Sequence, residues 1–227
     1  MRRVIVMVPT KKMLAHRANY GTKRGGDVEW IVMHYTANDG DSDTSNGKYF
    51  QKPLNPVASA HFFVDDDSIT ISVPEDYVAF HCGAYHYTHP FCRNYNSIGI
   101  EMCDAKRDGN VMATAKTIAN AADLAARLCE KYNIPVDHII RHYDVTGKLC
   151  PKYWVDDPQG IVRFRNMVKE RIEMVSKCKM IIDGKEIEVE RILKDGTNYI
   201  KIRDIAKALD LEVSNKGNVP ILNHKGG

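Results

Sequence analysis

The stretch EWIVMH, residues 29–34, sets three aliphatic residues side by side with no polar alternate and ends in a histidine. A strand with one wet face would alternate, so Ile31, Val32 and Met33 imply a strand buried on both faces, as in a sheet covered by helices. The following residues, YTANDGDSDTSNG (35–47), have loop composition. NSIGIEMC (96–103) repeats the buried-strand pattern, and SAHFFVDDDSITISVP (59–74) reads as a hairpin about Asp65–Asp67. That acidic turn lacks the spacing of an EF-hand loop, so no calcium site is expected there. From Thr114 to Tyr132, Ile118, Ala122, Ala125, Leu128, Cys129 and Tyr132 recur at helical spacing and predict one long amphipathic helix. VDHIIRH (136–142) supplies a further strand. Pro158 then opens a helix whose apolar face (Ile161, Phe164, Met167, Val168, Ile172, Val175) runs to residue 175, with Arg163, Arg165, Lys169 and Arg171 as its wet face. Strands interleaved with long helices predict an α/β domain, a mixed central β-sheet flanked by helices.

The chain has 227 residues, enough for one ordinary domain and a small second one. After about residue 177 its character changes to short alternating strands, two Asp-Gly turns and a short helix near Asp204–Leu209. This predicts domains at 1–177 and 178–227, the second a small α+β module close to the lower size limit for standing alone. A net charge of +3 argues against a dedicated nucleic-acid binder and suits a polyanionic surface such as a bacterial wall. No apolar run approaches the roughly 20 residues of a membrane span, so no membrane insertion is expected. The start, MRRVIVMVP, has too short an apolar run for a secretory leader and reads as a first strand or extended arm.

Six cysteines (82, 92, 103, 129, 150, 178) are an even number, but a chain of this length with an ordinary core needs no disulfide framework. No CxxC pair occurs, which excludes zinc ribbons and thioredoxin-like motifs. RHYDVTGKLCP (141–151) is rich in turn formers, so neither helix nor strand is expected through it. It does carry His142, Lys148 and Cys150. With His34 these make two imidazoles and one thiolate at or beyond the ends of buried strands. A three-ligand set of this kind leaves the fourth tetrahedral position open, the arrangement of a catalytic zinc. Each ligand alone is weak, since a histidine at a strand end is more often a hydrogen-bonded structural residue. Glu101, in SIGIEM, is either a paired or outward-facing carboxylate or a buried one whose pKa is raised for proton transfer.

HYTA (34–37), ASAHFFVDD (58–66), AFHCGA (79–84), NSIGIEM (96–102) and RHYDVTGKLCP (141–151) occur in an order that resembles the zinc-dependent N-acetylmuramoyl-L-alanine amidases of the phage endolysin and peptidoglycan-recognition-protein superfamily. The resemblance covers about residues 28–175. It implies Zn2+ held by His34, His142 and Cys150, with Glu101 taking the proton of the attacking water and Lys148 stabilising the oxyanion. It implies that His81 lines the substrate cleft and that Asn96 orients the glycan or peptide. His61 is either a support of the ligands or a satisfied core histidine. Some phage members carry Tyr where this chain has Ala60, so a tyrosine-assisted relay is not expected. The tail resembles one copy of the copper-amine-oxidase N-terminal-like module. That likeness implies no copper; it suggests wall association or a homodimer formed through the module, with a stabilising appendage as the plainer reading.

The function expected from this resemblance is hydrolysis of the bond between N-acetylmuramic acid and L-alanine in peptidoglycan. The expected setting is an endolysin made in the host cytoplasm without a signal peptide and released to the wall by a holin. A non-catalytic peptidoglycan binder, a cytosolic muropeptide-recycling amidase and a metal-free Cys150–His142 thiol hydrolase are the rivals.

Overall fold

The computed structural model describes residues 8–104, 111–173, 176–194, 197–217 and 219–224, and the chain divides into two compact units, Met1–Arg171 and Ile172–Gly227. The first contains strands β1 (Thr10–Lys12), β2 (Tyr20–Lys23), β3 (Trp30–Tyr35), β4 (Phe62–Val64), β5 (Ile69–Ile71), β6 (Tyr77–Ala79), β7 (Ser97–Met102) and β8 (Ile139–Arg141). Its helices are α1 (Asp43–Phe50), α2 (Ala115–Tyr132), α3 (His142–Thr146), α4 (Lys152–Asp156) and α5 (Gln159–Ile172).

Six strands form one mixed sheet in the order β1-β5-β4-β7-β3-β8, and β2 pairs separately with β6. Within the six, only β4 and β5 run antiparallel, as the hairpin predicted from sequence. The order puts β7 and β3 inside the sheet, each paired on both sides, where the continuous apolar runs belong. Ile31, Val32, Met33, Ile98, Ile100 and Met102 expose no surface at all. Burial of each such side chain contributes roughly 1.5–3 kcal/mol, which favours interior positions for these two strands. Helix α2 starts at Thr114, whose hydroxyl accepts from Thr117 N–H. The acidic turn docks it: Asp66 accepts the Thr114 and Thr117 hydroxyls, and Asn120 Nδ2 donates to the carbonyls of Asp65 and Asp66.

Three local expectations differ from the structure. Residues 35–47 are not all loop, because α1 begins inside them with Ser42 and Ser45 as a reciprocal cap. Its inward face is polar, with Asp43, Asn46 and Gly47 buried and Asp43 accepting from Thr70 Oγ1 (2.8 Å) and Ser68 Oγ (3.0 Å), so no apolar period announces it. Residues 141–151 are not all loop either, since α3 forms there. Lastly, Arg165 and Arg171 do not belong to the wet face of α5. Arg165 Nε donates to Ile139 O (2.7 Å), and Arg171 pairs with Asp123 and donates Nη2–H to Ala119 O (3.3 Å), tying α5 to β8 and α2. Arg163 and Lys169 are exposed. Helix α5 ends at Ile172; the expectations for residues 1–7 and Val175 lie outside the described residues.

In the second unit, β9 (Ser176–Ile182), β10 (Lys185–Lys194) and β11 (Thr197–Ile200) make an antiparallel sheet, followed by α6 (Ile202–Ala208) and the hairpin of β12 (Leu211–Lys216) and β13 (Val219–His224). Asp183 and Gly184 both have positive φ (48° and 77°), the two-residue turn that matches strand twist between β9 and β10. The second Asp-Gly turn, at 195–196, lies outside the described residues.

Candidate active site

Strands β3, β7 and β8 run parallel, so their carboxyl ends meet on one edge of the sheet, where open α/β sheets present their ligand sites. Register puts His34 directly opposite Glu101 and Met33 opposite Arg141, which leaves His142 just beyond β8. Cys150 is brought back by a short circuit. Arg141 N–H and its guanidinium donate to the Asp144 carboxylate (2.8 and 2.6 Å), closing the single turn of α3. Gly147 ends it in the left-handed region (φ 80°), and Tyr143 N–H donates to Cys150 O (2.9 Å). The loop formers read from the sequence thus serve to fold one helical turn and return the chain to its start.

The ligand atoms of His34, His142 and Cys150 all lie within 4.8 Å of one another, and all three residues are buried. Cys150 Sγ is 3.8 Å from His34 Nδ1, and Glu101 Oε1 is 3.9 Å from that same nitrogen. A tetrahedral zinc with bonds of about 2.0–2.3 Å sets its donors roughly 3.3–3.7 Å apart, so the residues fit such an ion with small adjustment. Two orphaned atoms point the same way. His142 Nδ1 and Glu101 Oε2 are buried with no hydrogen-bond partner, a costly state that a cation and its bound ligand would relieve.

The electrostatics also suit a cation. Burial, reinforced by His142, His81 and Lys148, holds His34 well below its ordinary pKa, and burial with Lys148 takes His142 down to about 3. Both imidazoles are therefore neutral donors at pH 7. Burial pushes the Glu101 carboxyl up to about 8, with Asp104 and Asp41 adding to the rise and Lys148 opposing it. The Cys150 thiol is pushed up to about 12 by burial and by Glu101. A divalent ion inverts this local logic and deprotonates a coordinating thiol outright.

Lys148 sits exposed on the turn after Gly147, and its charge acts on His34, His142 and Glu101 together. His81, expected in the substrate cleft, has both ring nitrogens committed: Nδ1 lies 3.1 Å from His34 Nε2 and Nε2 lies 3.1 Å from Ser97 Oγ. Asn96 is not brought to the cluster. It precedes β7, about 16 Å upstream of Glu101 at 3.3 Å per residue. There its side chain donates to Glu29 Oε2 and Phe91 O and accepts from Arg93 N–H, closing a 3-10 turn. His61 is fully buried in the core: Nδ1 accepts from Gly99 N–H (3.0 Å), and Nε2 lies 2.6 Å from Arg24 Nη2 and 3.1 Å from Tyr77 O. Sequence reading missed Asp104, two residues past β7. Its Oδ2 accepts from Ala37 N–H (2.6 Å) and Thr36 Oγ1 (3.3 Å), holding the segment after His34 with Ala37 at φ 57°. A carboxylate just beyond a buried strand was the available signal.

Fold and cluster together define an α/β protein in which two imidazoles, a thiol and a half-buried carboxyl converge at the carboxyl ends of parallel strands. Residues 24–153 match the N-acetylmuramoyl-L-alanine amidase family, and the chain belongs to that family. It is 35% identical over 199 residues to N-acetylmuramoyl-L-alanine amidase CwlL of Bacillus licheniformis, covering 83% of this chain and 54% of that protein. It is 34% identical over 165 residues to the amidase BlyA of Bacillus subtilis (strain 168), covering 67% and 44%. The chain thus spans about half the length of the curated relatives it matches. Among solved structures, a mutant endolysin from Bacillus subtilis superposes with a TM-score of 0.59 at 28% identity, over 71% of this chain and 99% of that one. The catalytic domain of XlyA gives the same values.

Proposed function

We propose that this chain hydrolyses the amide between N-acetylmuramic acid and L-alanine in bacterial peptidoglycan, using zinc held by His34 Nδ1, His142 and Cys150. The observation that carries the proposal is the buried His34–His142–Cys150 cluster with Glu101 in register beside it. Zinc bound there supplies a Lewis acid that polarises the scissile carbonyl and acidifies the attacking water. Glu101, between two apolar strand neighbours, receives the proton of that water and returns it to the departing alanine nitrogen. Lys148 places an ammonium where the oxyanion develops, a donor of the kind that contributes about 3–4 kcal/mol. Burial, reinforced by Asp104 and half-buried Asp41, raises the proton affinity of Glu101, which suits a group that must hold a proton between the two steps. The thiol-hydrolase alternative needs a Cys150 thiolate without a metal, and burial drives that thiol the other way.

The proposed setting is an endolysin of a phage or prophage, released to the wall by a holin. The second unit is proposed as a wall-associating or self-associating module. Among its described residues only Val189 and Ala206 are fully buried apolar side chains, while Ile181, Tyr199, Val219 and Leu222 are exposed.

Digestion of purified peptidoglycan with detection of newly freed N-terminal alanine tests the reaction. Glu101→Gln keeps shape and removes the base, so release is expected to fall about 10²–10⁴-fold with zinc content unchanged. Release at the wild-type rate by Glu101→Gln, or by fully demetallated protein, would overturn the proposal.

A further inference from the structure

His34 has two ring nitrogens with different neighbours. Nδ1 faces Cys150 Sγ and Glu101 Oε1 at 3.8 and 3.9 Å, whereas Nε2 lies 3.1 Å from His81 Nδ1. Behind His81 the contacts continue: its Nε2 is 3.1 Å from Ser97 Oγ, and that hydroxyl donates to Arg93 O at 2.6 Å. The direction of the chain is set from its far end. A carbonyl oxygen only accepts, so the single hydroxyl proton of Ser97 goes to Arg93 O. Ser97 then has only lone pairs to offer His81, and His81 Nε2 must carry a proton and donate it. In neutral His81 the other nitrogen, Nδ1, holds a lone pair and accepts, which requires the proton on Nε2 of His34. What remains on His34 is a lone pair on Nδ1, aimed into the cluster. Cys82 Sγ, at 3.8 Å from Ser97 Oγ, is a far longer contact than Arg93 O at 2.6 Å, so the hydroxyl proton stays on Arg93 O.

The arrangement is mechanically braced. Asn94 Oδ1 also accepts the backbone N–H groups of His81 (3.2 Å) and Cys82 (2.8 Å). Ser97 is completely buried, and Gly99 leaves the room in which the His81 ring lies, since a Cβ there would come within 2.6 Å of it.

We propose that His81 is a positioning residue: together with Ser97 it locks His34 in the Nε2–H tautomer and so presents Nδ1 as a ready metal donor. The inference rests on the zinc-amidase reading above. A hydrogen-bonded partner behind a ligand histidine fixes its ring and raises its basicity, and losing one typically weakens metal binding about 10–100-fold.

The test uses the full chain. In chelator-treated wild-type protein, nitrogen-15 NMR of the imidazoles is expected to show His34 protonated at Nε2 and bare at Nδ1. Zinc affinity, measured by competition with a chromophoric chelator, is expected to fall about 10–100-fold in His81→Leu. His81→Asn places an amide oxygen near the lost acceptor and is expected to recover most of that fall. Ser97→Ala, which frees His81 to change tautomer, is expected to weaken binding and populate both His34 tautomers. A wild-type His34 protonated at Nδ1 overturns the inference, and this spectrum decides the matter even where a variant unfolds. Zinc held as tightly by His81→Leu as by wild type also overturns it, leaving the zinc reading intact. Wild-type protein that binds no zinc removes both.

Discussion

Asp104 exposes 1% of its surface, and one of its carboxyl oxygens, Oδ1, has no hydrogen-bond partner. Burial pushes its carboxyl up to about 7, with Asp41 adding to the rise and the Ala37 N–H opposing it. Because the folded value lies above the unfolded one, the proton is bound more tightly in the native state. The associated stability is complete below about pH 4 and is lost as pH rises through 7. Asp104→Asn keeps an oxygen to accept from Ala37 and removes the titration. In chelator-treated protein, urea unfolding at pH 5 and pH 8 is therefore expected to show wild type losing on the order of 2 kcal/mol relative to Asp104→Asn. Parallel pH dependences for the two proteins would remove Asp104 from the account. Glu101 carries the same sign of shift, which makes the two carboxyls a shared cost of the fold in the absence of a cation.

The single turn of α3 does more for the site than its length suggests, because it begins on His142 and leads the chain back to Cys150. Its capping pair, Arg141 and Asp144, is reinforced by Arg141 Nη1 donating to Trp154 O (2.8 Å), so the turn is tied to α4 as well. Its exit depends on Gly147. A Cβ there would meet only Thr88 Cγ2 at 3.9 Å, so conformation rather than space demands glycine. Gly147→Ala is expected to cost about 1–2 kcal/mol in thermal or urea unfolding, and Gly147→Asn less, since asparagine tolerates the left-handed region better. Because the same turn returns Lys148 and Cys150, Ala should also retain less zinc after dialysis than Asn does. Equal behaviour of the two variants would show that backbone strain is not what glycine relieves. This element was half legible. Its turn formers are visible in the sequence, but they imply only a loop, because a five-residue helix has no periodicity to detect. The buried runs at 30–35 and 97–102 and the helix over 115–132 were legible because continuous apolar residues and a 3.6-residue period each leave one solution. Helix α1 was not, since Asp43 and Asn46 face inward. At the site, His34, His142, Cys150 and Glu101 stood out by residue type at strand ends. The partnership of His81 with Ser97, and of Asp104 with Ala37, needs residues brought together from separate segments, and no spacing along the chain encodes that.

On the scale of the whole molecule, the first unit balances opposing titrations. His34 and His142, and His61 in the core behind them, are held neutral by burial. Their folded values lie below the unfolded one, so their contribution is present above about pH 6.5 and is lost as pH falls. Glu101 and Asp104 act in the other direction as pH rises. A bound cation pairs with the deprotonated carboxyl and thiol and leaves the neutral imidazoles as donors, so it removes the alkaline loss. Both tryptophans of the chain, Trp30 and Trp154, are buried in this first unit, at 8% and 4% exposure. Tryptophan fluorescence therefore follows the unfolding of this unit specifically. Zinc at 100 times its dissociation constant should add about 2.7 kcal/mol. At about 2–4 °C per kcal/mol for a unit of this size, the fluorescence midpoint should rise on the order of 5–10 °C. A chelator should reverse the rise, and Cys150→Ser should blunt it, because a hydroxyl is a poor substitute for a soft thiolate. A midpoint indifferent to zinc and chelator at neutral pH would mean that the three donors are held together by packing alone, and the metal would have to be withdrawn from the account of the site.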